Sequence, residues 1–363
     1  MTMANAIKDA DHQHDAKRLP ISVLTGFLGS GKTTVLNHLI RQPELSKALV
    51  IINEFGEIGL DHNLVTHSSE DVVIEMSNGC VCCTLRRDLA KTLREAPGRF
   101  ARGGKLWFDR VIIETTGLAD PAPILNTLMT DPGLAQRYRV DGVVATVDAV
   151  HGGDTLHRQI EAVKQAAIAD RLLLTKTDLV DHDTLQHLQT NLQALNPAAP
   201  HVIARNGAVD SASVLDAGLY DPKTKSLNVQ NWLKAEAYPN PRRDGTGTEE
   251  RTDAFRHSAD IQSICMTIDE PVSRAALDRF FDTLRELNGD DLLRFKAMMN
   301  VIGSDGPVVI HGVQHIFHPL ATLADWPSED HRSRIVFITR GIDTGKLQDT
   351  LKVFEEQYTM CPE

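Results

Sequence analysis

The sequence places three thiols close together in one short segment. Cys80, Cys82 and Cys83 lie in the run SNGCVCCTLRRDL, and the whole chain has five cysteines. A disulfide between neighbouring cysteines is strained, and a single catalytic thiol needs no further thiols beside it. Thiolates at this spacing can instead occupy three positions around a tetrahedral metal, and sulfur ligands favour zinc over magnesium or calcium. The segment therefore predicts a transition-metal site.

The fourth ligand of such a site has to come from another segment. The run NEFGEIGLD, residues 53–61, follows an apolar strand and carries three acidic residues. Glu57 in this run, or His62 directly after it, could fill the fourth position in one state of the protein and leave it in another. Structural zinc sites normally have four protein ligands, so three cysteines leave a position through which metal can exchange. The alternatives are a turn of buried thiols and a solvated acidic loop.

A glycine-rich segment indicates a second chemistry. GFLGSGKT fits the pattern G-x-x-x-x-G-K-[ST], with an apolar strand before it and a helical stretch after it. The backbone amides of such a loop close around phosphate oxygens, and the helix N-terminus adds partial positive charge. We expect Lys32 to contact the β- and γ-phosphates and the Thr33 hydroxyl to hold magnesium. The predicted nucleotide-binding residues here are Gly26, Phe27, Leu28, Gly29, Ser30, Gly31, Lys32, Thr33 and Thr34.

The run LLLTKTDL indicates which base the nucleotide carries. It matches the [NT]-K-x-D pattern of GTP-binding proteins and follows a buried strand, where open α/β sheets bind their ligands. The carboxylate of Asp178 can accept hydrogen bonds from N1 and N2 of guanine, whereas adenine offers no such pair of donors. A mismatch of this kind can reject the wrong ligand by about four orders of magnitude. The predicted base-binding residues are Thr175, Lys176, Thr177 and Asp178; the alternative is a strand-end turn with a capping aspartate.

A third strand, in the run RVIIETTG, ends in an acidic residue. Glu114 stands where many phosphate-loop enzymes have an aspartate that reaches magnesium directly or through water. Gly117 would let the backbone approach the γ-phosphate. The predicted catalytic residues are therefore Lys32, Thr33 and Glu114.

Apolar runs predict the strands that position these motifs. The runs are LPISVL, ALVII, DRVII, VDGVVATV and ADRLLLT, with HVIA as a sixth, and helical stretches such as 84–96 and 154–170 lie between most of them. Strands that alternate with helices from residue 20 to about 210 predict a doubly wound α/β domain.

The rest of the chain predicts a second, smaller domain. The runs IQSICMTID, GPVVIHGVQHIF and SRIVFIT have the composition of strands, and residues 271–288 and 343–357 have helical spacing. His311, His315 and His318 accompany one of these strands, where a structural or partner-facing role is favoured over a second metal site. The predicted organisation is a polar tail at 1–19, a P-loop GTPase domain at 20–234, a linker at 235–258 and a smaller α+β domain at 259–358.

Composition excludes several functional classes. The net charge of −11 argues against a general nucleic-acid binder, and the charged fraction of 24% is ordinary for a soluble globular protein. No apolar run approaches the roughly 18 residues of a membrane helix, and the polar first residues do not form a secretory signal. Few, unevenly spaced cysteines argue against a disulfide framework, so we expect a cytoplasmic protein.

Taken together, the motifs resemble those of the CobW-like GTPases, which are related to UreG and HypB. The resemblance rests on TGFLGSGKTT, NEFGEIGLD, NGCVCC, ETTGLADP, TKTD and the C-terminal runs GVQHIF and RIVFI. It implies a GTPase domain followed by a CobW C-terminal domain, with GTP hydrolysis coupled to delivery of a metal, usually zinc or cobalt. Some relatives have an acid just before the NEFG segment, where this chain has Ile52, so a ligand from that position would be missing here.

The resulting hypothesis is a GTP-dependent metallochaperone. It would use GTP and GDP with magnesium, carry zinc (or cobalt) and pass it to a client metalloprotein, with a homodimer as one option for its assembly and no nucleic acid or membrane as partner. The alternatives are a GTP-regulated binding module with a purely structural metal, and a phosphate-loop small-molecule kinase. Formation of free phosphate alone, rather than a phosphorylated acceptor, distinguishes a GTPase from a kinase.

Overall fold

The structure is a computed structural model of the 363-residue chain. It describes residues 18–54, 72–77, 82–215, 261–286, 291–314, 316–317, 320–323, 325–326 and 328–342, without the side chains of 53–54, 72–77, 82–86, 285–286 and 316. The described residues form two compact units. The first contains those up to Asp148 with 173–178 and 202–215, and the second contains 149–172, 179–201 and those from 261 onward.

A seven-stranded sheet presents the nucleotide motifs. Its strands are β1 (Leu19–Gly26), β2 (Ala48–Glu54), β3 (Val72–Ser77), β6 (Arg110–Glu114), β7 (Tyr138–Asp148), β8 (Arg171–Thr175) and β9 (His201–Ala204), and a short hairpin, β4 (Ala101–Arg102) with β5 (Lys105–Leu106), precedes β6. The spatial order is β3-β2-β6-β1-β7-β8-β9. The pairs β3–β2, β2–β6, β6–β1 and β1–β7 are parallel. Because parallel strands end at the same edge, this edge collects the loops that follow β1, β2, β3, β6 and β7.

Helices follow most of these strands. They are α1 (Lys32–Leu39), α2 (Cys82–Arg99), α3 (Ala122–Thr130), α4 (Pro132–Ala135), α5 (Gly152–Arg158), α6 (Ile160–Ile168) and α7 (His182–Leu195). In the first unit, α1 packs on the sheet because Val35, Leu36 and Leu39 lie on one face and are buried with strand residues such as Leu24 and Ile112. This packing fixes the first turn of α1 against the end of β1.

The second unit has an antiparallel sheet of its own. Its strands are β10 (Ile261–Ile268), β11 (Leu292–Met299), β12 (Val308–Val313), β13 (Ile316–Phe317), β14 (Ala321–Thr322) and β15 (Ser333–Arg340), in the order β10-β15-β11-β12-β13 with β14 beside β12. Helix α8 (Arg274–Glu286) packs on it through Phe280 and Phe281, which meet Phe295 at ring-centroid distances of 6.1 and 6.2 Å. The α/β fold followed by a smaller α+β domain, predicted from sequence, is confirmed.

Two local predictions differ from the structure. The helical stretch 154–170 is two helices, because Gln159 between α5 and α6 has an extended backbone at φ −123° and ψ 109°. The run that contains His311 is not one continuous strand, since β12 ends at Val313 and Gln314 turns the chain at φ 55°. His315, His318 and residues 343–357 lie outside the described residues. Among the helices that the structure describes, none has the length and hydropathy needed to span a membrane.

Candidate functional site

The loop between β1 and α1 has the backbone of a phosphate-binding loop. Gly26, Gly29 and Gly31 have φ of 142°, 70° and 89°, which side chains rarely allow. There is also no space for a side chain at Gly26, since a Cβ there would lie 2.2 Å from Thr146 Oγ1 and 2.5 Å from the Thr146 carbonyl oxygen. The loop therefore closes tightly against the neighbouring strand β7.

Neighbouring strands hold this loop in place. The Ser30 and Thr146 hydroxyls share a hydrogen bond of 2.6 Å, and the Thr175 hydroxyl donates to the Ser30 carbonyl oxygen at 2.8 Å. Thr175, predicted as a base-site residue, thus contacts the phosphate loop directly. The ends of β7 and β8 and the phosphate loop form one hydrogen-bonded assembly.

Lys32 lies inside the loop. Its Nζ donates to the carbonyl oxygens of Gly26 and Phe27 at 3.0 and 3.2 Å, and the residue is 9% exposed. As the first residue of α1, it also stands where the partial positive charge of the helix is strongest. A cation and a helix N-terminus at the same point favour an anionic ligand.

Thr33 and Glu114 meet beside Lys32. The Thr33 hydroxyl donates to Glu114 Oε1 at 2.9 Å, and Glu114 is 4% exposed at the end of β6. A hydroxyl and a carboxylate are hard oxygen donors of the kind that magnesium takes. The donor set of this pair therefore fits magnesium.

Gly117 packs against the phosphate loop. A Cβ at this position would lie 2.7 Å from the Leu28 backbone nitrogen and 2.8 Å from its Cα, so no side chain fits without moving the backbone. The Thr115 hydroxyl donates to Thr25 Oγ1 at 2.8 Å, which fixes the start of the same turn. The turn after β6 and the phosphate loop are therefore in direct backbone contact.

The TKTD segment forms a tight turn after β8. Lys176 has a left-handed backbone at φ 54°, and residues Thr177–Leu179 form one 3₁₀ turn in which Asp178 is exposed. The Lys176 ammonium donates to Asp148 Oδ2 at 2.7 Å. Asp148, the last residue of β7, was not among the residues predicted from sequence; its place at a strand end beside two motifs is the signal that could have found it.

The predicted metal ligands lie mostly outside the described residues. Cys80, Glu57 and His62 are not described, and Cys82 and Cys83 are described only as the first two residues of α2, without side chains. Among the side chains that the structure does describe, no three histidine, cysteine, aspartate or glutamate residues form a metal-binding group. These positions therefore stay predictions.

The strands that lead to the two predicted metal segments are nevertheless described. β2 and β3 are neighbours in parallel register, with Glu54 opposite Ser77. Their carboxyl ends therefore lie side by side, and the acidic and cysteine segments both leave from this point. It is the edge from which the phosphate loop leaves β1.

Comparison with known proteins agrees with this organisation. The family model described as CobW/HypB/UreG, nucleotide-binding domain, matches residues 20–203, and the model described as Cobalamin synthesis protein cobW C-terminal domain matches residues 261–355. The zinc chaperone YjiA of Escherichia coli is 33% identical over 324 residues, covering 88% of this chain and 93% of that protein.

Two further comparisons extend this result. A zinc-regulated GTPase metalloprotein activator 1 of Dictyostelium discoideum is 30% identical over 254 residues, covering 60% of this chain and 52% of that protein. The crystal structure of Zn(II)-bound YjiA GTPase from E. coli superimposes with a TM-score of 0.64 at 28% identity, over 93% of this chain and 99% of that one. With both family models matched in order, this chain belongs to the CobW/HypB/UreG family and carries the family's nucleotide-binding domain followed by a CobW C-terminal domain.

Proposed function

We propose that the protein is a GTP-hydrolysing metallochaperone that binds zinc at its C-x-C-C segment and delivers it to a client metalloprotein. One observation supports this most strongly: the acidic and cysteine segments leave adjacent strand ends, Glu54 opposite Ser77, on the edge that also presents the phosphate loop. The relatives named zinc chaperone and zinc-regulated GTPase metalloprotein activator point the same way. Cobalt is the alternative cargo.

In this proposal, the phosphate loop and β6 bind the nucleotide and hydrolyse it. Lys32 would exchange the carbonyl oxygens of Gly26 and Phe27 for the β- and γ-phosphates, where its charge offsets the negative charge of the transferred group. Thr33 and Glu114 would hold magnesium, which would supply positive charge against the negative charge of the phosphates. Gly117, in contact with Leu28, would carry the state of the γ-phosphate into the turn after β6.

Guanine is the base that the TKTD turn fits. Asp178 is exposed at the open edge of the sheet, where its carboxylate can accept from the N1 and N2 hydrogens of guanine. Thr175 joins this turn to the phosphate loop through Ser30. Base and phosphates would therefore be bound by one connected group of residues.

In this proposal, zinc binds at the start of α2. Negative charge is favoured at the N-terminus of a helix, and Cys82 and Cys83 begin the 18 residues of α2 as candidate thiolates. Ile52, where some relatives have an acid, is a buried core residue of β2 and supplies no ligand. With Cys80, Cys82 and Cys83 as three ligands, we propose Glu57 as the fourth.

A zinc titration against a chromophoric chelator tests the site. The wild-type protein should bind one zinc per chain, and a variant with Ser at positions 80, 82 and 83 should lose that zinc while still binding nucleotide. Cys265→Ala is the matched control, because Cys265 is a half-buried thiol of β10, outside the segment, and its loss should not change zinc binding. Retention of zinc by the triple variant would refute the C-x-C-C site.

Product analysis separates the proposal from its alternatives. With GTP and magnesium we expect inorganic phosphate as the only new phosphorylated product; a phosphorylated small-molecule acceptor would indicate a kinase. Zinc that competing chelator cannot remove in any nucleotide state would indicate a structural metal in a GTP-regulated binding module. Whether the chain acts alone or as a homodimer is measured in the same samples by light scattering.

A further inference from the structure

An ion pair joins the end of β7 to the turn that follows β8. Lys176 Nζ lies 2.7 Å from Asp148 Oδ2, with side chains 38% and 10% exposed. The two residues are 28 positions apart in sequence, so the fold and not the motif brings them together. Asp148 itself belongs to neither the G-x-x-x-x-G-K-[ST] nor the [NT]-K-x-D pattern.

The pair stands directly beside the phosphate loop. In the parallel register of β1 and β7, Gly26 is opposite Thr146, two residues before Asp148. The Thr175 hydroxyl contacts both the Ser30 carbonyl oxygen, at 2.8 Å, and the Val147 carbonyl oxygen, at 3.3 Å. Asp148 is therefore held by backbone that also defines the nucleotide-binding edge.

Lys176 has a conformation that needs support. Its backbone is left-handed, at φ 54°, which is uncommon for residues other than glycine, asparagine and aspartate. Such a conformation persists where surrounding contacts hold it. The partner carboxylate at the end of β7 supplies such a contact. It also decides where the lysine ammonium lies, two positions before the exposed carboxylate of Asp178.

We propose that Asp148 is a positioning residue for guanine recognition, which holds the Lys176 ammonium away from Asp178 and so leaves that carboxylate open to the guanine N1 and N2 hydrogens. The inference rests on the proposed guanine assignment of the TKTD segment. An ammonium released from Asp148 would find Asp178 as the next carboxylate on its own turn, and a salt bridge there would occupy the oxygens that read the base.

The test measures the binding of fluorescent GDP and its competition by GTP and ATP. Asp148→Asn should weaken GDP binding roughly tenfold, within the range of coupling between residues in direct contact, and should lower the preference for GTP over ATP. Adding Lys176→Met should restore part of the loss, because methionine keeps the apolar chain and removes the competing charge. The double variant should then bind GDP as Lys176→Met alone does.

Asp141→Asn is the matched control. Asp141 is a buried aspartate of the same strand, bonded to Ser22 Oγ at 2.9 Å, so its loss should lower the melting temperature and leave the GTP preference unchanged. The inference is overturned if Asp148→Asn binds GDP as tightly as wild type, or if the double variant binds more weakly than either single variant. Asp178→Asn distinguishes failure of the guanine assignment from failure of the positioning role. If Asp178→Asn leaves GDP affinity unchanged, the guanine assignment is refuted. If Asp178→Asn weakens GDP binding and Asp148→Asn does not, only the positioning role of Asp148 is refuted.

Discussion

Single side chains at the edge of the first sheet are held by contacts that a nucleotide would exchange. Lys32 donates to two loop carbonyl oxygens, and Thr33 donates to Glu114. A phosphate oxygen could accept from Lys32 in place of these carbonyl oxygens, and the oxygens of Thr33 and Glu114 could bind magnesium in place of their mutual hydrogen bond.

Removal of the Lys32 charge should stop hydrolysis and spare the fold. We expect Lys32→Ala to lower kcat by at least about a hundredfold, the typical cost of removing one stabilising group from a developing charge. Melting temperature and circular dichroism check that the fold persists, and phosphate release measures turnover. Wild-type turnover in this variant would refute the phosphate-loop assignment.

Sequence patterns were sufficient for residues that act through local motifs. The phosphate loop and the TKTD turn each lie within a few consecutive positions, so spacing alone predicts a chemistry for them, and that chemistry stays a prediction. Asp148 could not be assigned in this way, because its partner is 28 residues away and only the strand order brings the two together. Glu57 and the three cysteines stay predictions for a related reason, since their ligand geometry depends on side chains outside the described residues.

Strand β11 is one of the elements that were not predicted from the sequence. Its run LLRFKAMM carries Arg294 and Lys296 at alternate positions, which suggests a solvated face. In the structure both are buried, at 3% and 6% exposed, and both bind one carboxylate, Asp170, at 2.5 and 3.0 Å. Charged side chains thus occupy a core face because a distant residue compensates them.

The buried cluster of Asp170, Arg294 and Lys296 leads to a prediction about stability. Burial lowers the pKa of Lys296 and the charge of Arg294 acts in the same direction, whereas the charge of Asp170 and its hydrogen bond oppose both effects. We expect Asp170→Asn to destabilise the protein by about 3–5 kcal/mol, the usual cost of removing one partner from a buried ion pair.

The comparison with Lys296→Met makes that prediction specific. Methionine has about the length of lysine and leaves Asp170 paired with Arg294, so Lys296→Met should lower the free energy of unfolding by less than Asp170→Asn does. Urea unfolding of the two variants measures both values. Equal destabilisation by the two substitutions would contradict the account of this cluster.

Strand β9 contributes a pH dependence through its first residue. Burial lowers the pKa of His201 below its ordinary value of 6.5, so the folded state binds fewer protons than the unfolded state in acid. The free energy of unfolding should have its full value above about pH 6.5 and should decrease as the pH falls through the lowered pKa of His201. His201→Gln should flatten this part of the profile, and the exposed His182→Gln should not; equal slopes for all three proteins would contradict the prediction.

At the scale of the molecule, compact units and sequence families divide the chain differently. The two family models match residues 20–203 and 261–355. Helices α5, α6 and α7 lie within the first match but belong to the same compact unit as the C-terminal sheet. Within that unit, the Ser263 hydroxyl donates to the Leu195 carbonyl oxygen at 2.7 Å, and Ala198 shares a core with residues of β11, β12 and β15. Helices of the nucleotide-binding domain are therefore part of the second core. The boundaries 20–234, 235–258 and 259–358 remain proposals, since 216–260 lie outside the described residues.

The central claim is that nucleotide state and metal binding are coupled, because their segments leave one sheet edge from adjacent strands. It is tested most directly by zinc affinity measured with a non-hydrolysable GTP analogue and with GDP. The account predicts affinities that differ by roughly 5- to 150-fold, with zinc shifting nucleotide affinity by the same factor, and loss of this coupling when serine replaces the three cysteines. Equal zinc affinity in the two nucleotide states would contradict the chaperone function and leave the metal as a structural ion.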